Sequence, residues 1–161
     1  MYQKDALDGE YRLEYEPGRT LATNAEGRTT RVEYAAQGRT TRRVDPEGNA
    51  RLYRYNPDTT LSAETDALGQ LTTYRYDGAG NRVRDLLPDG SSLLRTYDGR
   101  GNLLTETDAL GNVTRYAYDE MDNLVLETRA DSSETAYGYN EHGQMILRRD
   151  ALGVETAYGY E

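Results

Sequence analysis

Side chains alternate in character along the segments that lead up to a recurring tyrosine. Residues 112–118 carry Asn, Thr, Tyr and Tyr on every second position, and residues 70–76 and 154–160 show a similar alternation. A period of two is that of a β-strand, and Thr and Tyr are strong strand formers. The other strand of each repeat is more apolar, as at 103–104 and 145–147, which predicts contact on both of its faces.

Tyrosine recurs at an interval of 21 residues through most of the chain, which marks an internal repeat. The members of this first tyrosine column are Tyr34, Tyr55, Tyr76, Tyr97, Tyr118, Tyr139 and Tyr160. A second tyrosine column, two positions earlier in its repeats, consists of Tyr53, Tyr74, Tyr116, Tyr137 and Tyr158. Aromatic cross-strand contacts stabilise sheets, so we predict that both columns have a packing role.

Turn signals recur with the same period, and successive turns lie about ten residues apart. An Asp at the first turn position can accept hydrogen bonds from nearby backbone amides, and a Gly at the fourth can adopt a positive φ. Such short connections join antiparallel neighbours, which predicts an all-β fold, an antiparallel hairpin meander with two short strands in each 21-residue repeat. The predicted turn residues are Asp66, Gly69, Asp77, Gly80, Asp98, Gly101, Asp108, Gly111, Asp150 and Gly153.

The composition excludes several classes of protein. With 28 Asp+Glu against 19 Lys+Arg, the chain has a formal net charge of −9, which argues against nucleic acid as a partner. We interpret the scattered arginines as solvated strand positions. No cysteine is present for disulfides or thiolate ligands, and no apolar run approaches the length of a membrane span. The N-terminal residues 1–8 lack the apolar region of a signal peptide.

The tyrosine-led turns resemble a known repeat. Residues 76–81, 97–102 and 118–123 begin with Tyr-Asp, and the first two read Tyr-Asp-Gly-x-Gly-Asn. They are similar to the tyrosine–aspartate (YD) repeat of bacterial Rhs polymorphic toxins, toxin-complex C subunits and teneurins. The resemblance implies a curved, spiralling sheet that forms a hollow shell around a cargo, usually a toxic C-terminal domain. It further implies a secreted or cell-surface location as part of a larger bacterial protein.

The expected organisation is a single array of about seven repeats over residues 1–161. Residues 1–33 form an irregular N-terminal part and residues 34–161 the regular repeats, and we interpret the chain as a piece of a longer protein. Seven repeats would make an arc of the shell, with neighbouring repeats and an enclosed toxin domain as partners. Its two unpaired sheet edges predict self-association or marginal stability.

Residues with catalytic or metal-binding chemistry are better explained as parts of turns. His142, the only histidine, lies at a predicted turn, and Asp45 of the Asp-Pro-Glu-Gly segment at 45–48 falls on the turn register. The resemblance would otherwise link that segment to the family's self-cleaving motif. We therefore predict no catalytic site, no metal and no cofactor. Because tyrosine rings also stack on sugars, a glycan- or receptor-binding adhesive module remains the alternative function.

Overall fold

The computed structural model describes residues 2–4 and 10–160, and the side chains of residues 12–160. Most of the segment 1–8, for which the sequence predicts no signal peptide, lies outside the described residues. The structure divides into two compact units, residues 1–73 and 74–161, and the division falls within β8. All regular elements in the described part are β-strands.

The first unit contains eight strands, the last of which it shares with the division. They are β1 (Tyr2–Lys4), β2 (Glu10–Glu16), β3 (Arg19–Thr23), β4 (Thr29–Tyr34), β5 (Thr40–Val44), β6 (Ala50–Tyr55), β7 (Leu61–Thr65) and β8 (Leu71–Tyr76). Each strand pairs antiparallel with the next strand along the chain. The unit is therefore a meander.

The second unit has the same organisation. Its strands are β9 (Arg82–Leu86), β10 (Ser92–Tyr97), β11 (Leu103–Thr107), β12 (Val113–Tyr118), β13 (Leu124–Thr128), β14 (Glu134–Tyr139), β15 (Met145–Arg149) and β16 (Glu155–Ala157). Consecutive strands again pair antiparallel. The predicted all-β hairpin meander is confirmed in both units.

A β-bulge recurs where an even-numbered strand meets the following odd-numbered strand. Between β10 and β11, Thr96 pairs with Thr105 and Tyr97 with Leu103, so that Leu104 is the extra residue. The equivalent shifts lie opposite Tyr34, Tyr55, Tyr118 and Tyr139. A bulge bends its strand and raises the local twist, and here it does so at the same place in each repeat.

The bulges correct one prediction about burial. Leu104 and Ile146 are 38% and 40% exposed, so the predicted contact on both strand faces is wrong at these two positions. Each is the extra residue of its bulge, where the ordinary alternation of the strand is interrupted. In the described part only Ala63, Asp85 and Thr135 are fully buried, so each strand depends mainly on its neighbours for stability.

The tyrosine face as candidate functional site

The two tyrosine columns lie on the less exposed face of the strands that carry them. In β12 the side chains of Thr114, Tyr116 and Tyr118 are half-buried, whereas Arg115 and Ala117 are exposed. We call this the tyrosine face of each unit. Residues paired across neighbouring strands share a face, and the tyrosine face therefore also includes the cross-strand partners of the second tyrosine column.

The first tyrosine column links successive bulges through hydrogen bonds. The Tyr139 hydroxyl donates to the carbonyl oxygen of Leu124 at 2.9 Å, and Leu124 is the residue paired with Tyr118 at the preceding bulge. Every such acceptor lies 15 residues earlier, at the start of an odd-numbered strand. The pairs are Tyr55 with Thr40, Tyr97 with Arg82, Tyr118 with Leu103, Tyr139 with Leu124 and Tyr160 with Met145.

We call these hydrogen bonds tyrosine braces. Each brace connects the bulge that the tyrosine faces to the bulge one repeat earlier. Burial raises the pKa of the Tyr118 and Tyr139 phenols, which keeps them as neutral donors. At the start of the column the contact differs, because Tyr34 donates its backbone amide to the Gly18 carbonyl at 2.8 Å. Tyr76 ends β8 and is half-buried.

The second tyrosine column lies beside charged side chains. Tyr116 is paired with Glu127, and burial together with the negative charges of Glu106 and Glu127 raises the pKa of its phenol. The Arg82 guanidinium lies 3.8 Å from the centre of the Tyr74 ring, a cation–π contact. The remaining members are paired as follows: Tyr53 with Glu64 and Tyr137 with Arg148, while Tyr158 donates its amide to the Ile146 carbonyl.

An ion network occupies the tyrosine face of the second unit. The Asp85 side chain is 3% exposed and pairs with Arg82 and, at 3.1 Å, with Arg95. Arg95 also pairs with Glu106 at 2.8 Å. Burial lowers the pKa of Arg95, but its hydrogen bonds and charge contacts with Asp85 and Glu106 outweigh this, and the pKa is raised. The interpretation of arginines as solvated strand positions is wrong for Arg95, whose side chain is 20% exposed.

Each turn is closed by its own first residue. Asp98 accepts the Gly101 amide on its backbone oxygen, and its Oδ1 accepts the amides of Arg100 and Asn102, both at 2.9 Å. These bonds lower the pKa of Asp98, the largest cause being the Asn102 amide. Gly101 has φ +93°. Asp66, Asp77, Asp108 and Asp150 make the same bonds, and the fourth residues of their turns are Gly69, Gly80, Gly111 and Gly153.

Three turns keep the positive φ without glycine. Thr59, Asp122 and Ser132 have φ values of 85°, 62° and 65°. Backbone of this kind is strained for L-residues, and Asp122 has a compensating role. Its Oδ1 accepts hydrogen bonds from Arg100 at 3.1 Å and from Asn102 at 2.7 Å, which joins two turns of neighbouring repeats.

The repeat also matches a known family at the level of sequence. Residues 55–92 and 97–134 match the family model described as RHS Repeat. The chain carries Rhs repeats. Each matched segment spans two of the 21-residue units, and the two segments start 42 residues apart, at residues 55 and 97. The resemblance that the tyrosine-led turns indicated is therefore confirmed.

Solved structures share the fold of this Rhs-repeat chain. The crystal structure of TcdB2-TccC3-Cdc42 matches with a TM-score of 0.68 over 88% of this chain, at 16% identity. TcdB2-TccC3 without its hypervariable C-terminal region and TcdB2-TccC3 match with TM-scores of 0.63 and 0.62, each over 93% of this chain at 16% identity. The chain spans 9% to 11% of the length of those chains. No curated protein sequence matches it.

The residues that suggested chemistry lie in Rhs-repeat turns. His142 is exposed, and its backbone amide binds Asn140 Oδ1 at 3.0 Å. Asp45 accepts the Gly48 and Asn49 amides, like the other turn aspartates. Among the described residues no group of His, Cys, Asp and Glu has the arrangement of a metal site. None of the described elements is a helix long and apolar enough to span a membrane.

Proposed function

We propose that this chain is a wall segment of an Rhs-type secreted bacterial toxin, whose hollow shell encloses a toxic C-terminal cargo. The observation that carries the proposal is the bulge and tyrosine brace repeated every 21 residues. A bulge at a constant position bends each repeat in the same way, and a constant bend is what a continuous curved wall requires. The Rhs-repeat match and the fold shared with toxin-complex structures support the same role.

The mechanism we propose is steric. Backbone ladders and braces make a continuous sheet, and a protein enclosed by such a wall has no contact with outside proteases or targets. This role requires no catalytic group in the repeats, and we propose none. The other half of the proposal is the location: the repeats act outside the producing cell, as part of the larger protein that they enclose.

Limited proteolysis of the full-length protein tests the enclosure. We expect the segment that follows the repeats to resist protease within the full-length protein and to be digested rapidly when it is expressed alone. Equal rates of digestion in the two forms would contradict the proposal. Electron cryomicroscopy of the same sample would add the shape of the wall, and repeats forming an open strip without internal density would also contradict it.

The alternative, a glycan-binding module, gains support from one groove in the first unit. Its lining combines tyrosine rings with arginines, a combination suited to acidic sugars. Such a site would decorate a wall and would not replace it.

A further inference from the structure

The tyrosine face of the first unit contains a groove. Three adjoining cavities of about 650, 600 and 580 Å³ share Tyr53 as a lining residue. The first two also share Tyr55, and the last two share Arg43, so that they form one continuous depression across the strands. The lining residues that matter here are Val32, Thr40, Arg43, Arg51, Tyr53 and Tyr55.

The groove arises from departures from the repeat. Val32 stands where the period would place a tyrosine of the second column, 21 residues before Tyr53. Ala22 and Thr30, which also line the groove, are paired across neighbouring strands and are small. The volume that a tyrosine ring occupies in later repeats is therefore open beside Tyr53.

The charges of the groove are unlike those of the other repeats. Arg43 is paired directly with Arg51 across β5 and β6, and like charges directly opposite destabilise a sheet. At the same register the second unit pairs Glu106 with Thr114 and Arg148 with Thr156.

One of the two groove arginines has no partner in the protein. Arg51 pairs with Glu64 at 2.9 Å, whereas no hydrogen bond or ion pair joins Arg43 to any described residue. The nearby Asp45 carboxylate is engaged by the Asn49 amide and side chain at 2.8 and 2.9 Å. An anion placed between the two arginines would relieve their repulsion and satisfy Arg43.

We propose that this groove binds an acidic carbohydrate chain, with a sugar carboxylate held by Arg43 and Arg51 and a sugar ring against Tyr53. Arginine binds carboxylates through paired, charge-assisted hydrogen bonds. The Thr30 and Thr40 hydroxyls line the same space and suit the hydroxyl groups of a sugar. The Arg39 guanidinium, 5.7 Å from the centre of the Tyr55 ring, adds positive charge at one end.

The position of the groove favours a carbohydrate over an acidic peptide. Extended peptides bind sheets mainly by adding a strand to an unpaired edge. The groove lies on the face of β3 to β6, each of which is already paired with a neighbour on both sides. A ligand there must be recognised through side chains, as sugars are.

Calorimetry with defined probes tests the site on the full chain. We expect hexagalacturonate to bind saturably, and maltohexaose, which is neutral, and hexaglutamate, which is an acidic peptide, to bind at least about tenfold more weakly. Arg43→Gln should weaken hexagalacturonate binding by about tenfold or more, the effect of losing a charged hydrogen-bond donor. Arg148→Gln is the matched control, because Arg148 has the same register but faces a threonine.

Each other result would overturn the proposal. Absence of saturable hexagalacturonate binding, equal binding of hexaglutamate, or equal affinity of the natural chain and Arg43→Gln would each do so. Arg43 is exposed, so its substitution leaves folding intact, and matching circular dichroism spectra verify this. The site does not depend on enclosure, and the protease experiment could fail while this one succeeds.

Discussion

The two units use one repeat in two ways. The first has 10 Lys+Arg and 12 Asp+Glu, a net charge of −2, and the second has 9 and 16, a net charge of −7. The second unit contains four tyrosine braces and a buried ion network, whereas the first contains one brace and an open groove. The period and the turns are common to both.

The difference shows which positions the fold requires. A turn acceptor and a positive φ recur in both units, even where glycine is replaced. Residues on the tyrosine face vary, and they determine whether the surface is filled by charge pairs, filled by rings or left open. The repeat therefore fixes the backbone, and the face of the sheet is free to acquire a separate function.

The largest expected effect comes from the buried acid of the second unit. Asp85→Asn removes the charge that Arg82 and Arg95 share, and we expect the free energy of unfolding to fall by about 3 kcal/mol. Chemical denaturation followed by circular dichroism measures it. In the first unit Glu33 also lies between two arginines, Arg31 and Arg42, but its side chain is 34% exposed.

The variant Glu33→Gln is the control for burial. We expect it to cost less than about 1 kcal/mol, because exposed ion pairs contribute little. Similar losses for the Asp85 and Glu33 variants would show that burial does not distinguish the two clusters.

The next effect concerns a turn. Gly101 has φ +93°, a conformation that a β-branched residue adopts only with strain, so we expect Gly101→Val to lower the free energy of unfolding by about 1–3 kcal/mol. Gly99, in the same turn, does not have a positive φ, and a side chain there would meet no atom within 4 Å. Thermal unfolding of Gly99→Val should therefore show a smaller loss, and an equal loss would refute the role of φ.

Much of this fold can be predicted from the sequence because its signals are local. The Asp98–Asn102 turn depends on atoms within five residues, and the alternation of Thr114, Tyr116 and Tyr118 depends on one strand. The meander follows from the short distance between turns. The Rhs resemblance follows from the same residues.

The features that sequence reasoning missed depend on pairing between strands. The acceptor for Tyr139 is a backbone carbonyl 15 residues earlier, which comes close only after the sheet has formed and a bulge has shifted the register. Asp85 and Arg95 look like ordinary exposed strand charges. Only their positions on one face, in adjacent strands, bring them together. A search for opposite charges at paired registers would have found them.

A smaller effect separates the two tyrosine columns. Tyr139→Phe removes the hydroxyl that binds the Leu124 carbonyl, and we expect a loss of about 1 kcal/mol, the usual contribution of one hydrogen bond. Tyr137→Phe, in the second column of the same strand, should change stability by less than about 0.5 kcal/mol. Urea denaturation of both variants makes the comparison, and equal losses would count against the brace.

The smallest effect lies in the acid response of the turns. Their hydrogen bonds lower the pKa of six aspartates in the second unit, Asp77, Asp89, Asp98, Asp108, Asp119 and Asp131, and of two in the first, Asp45 and Asp58. A lowered folded-state pKa gives stability that is present above the unfolded value of about 3.9. That stability is lost as the pH falls through the folded-state pKa. The Tm should therefore be level above about pH 5 and fall below about pH 4.

Asparagine at the same turn position separates the hydrogen bonds from the charge. Asn140 makes the bonds of a turn aspartate, to the amides of His142 and Gln144, without titrating. The double variant Asp98→Asn/Asp119→Asn should thus keep its turns, with a slightly lower Tm at pH 7 that approaches the natural value as the pH falls to 3. Glu120→Gln, in the same turn as Asp119, should leave the profile unchanged. A difference between double variant and natural chain that stays constant with pH would mean that the turn carboxylates are not the acid-sensitive groups.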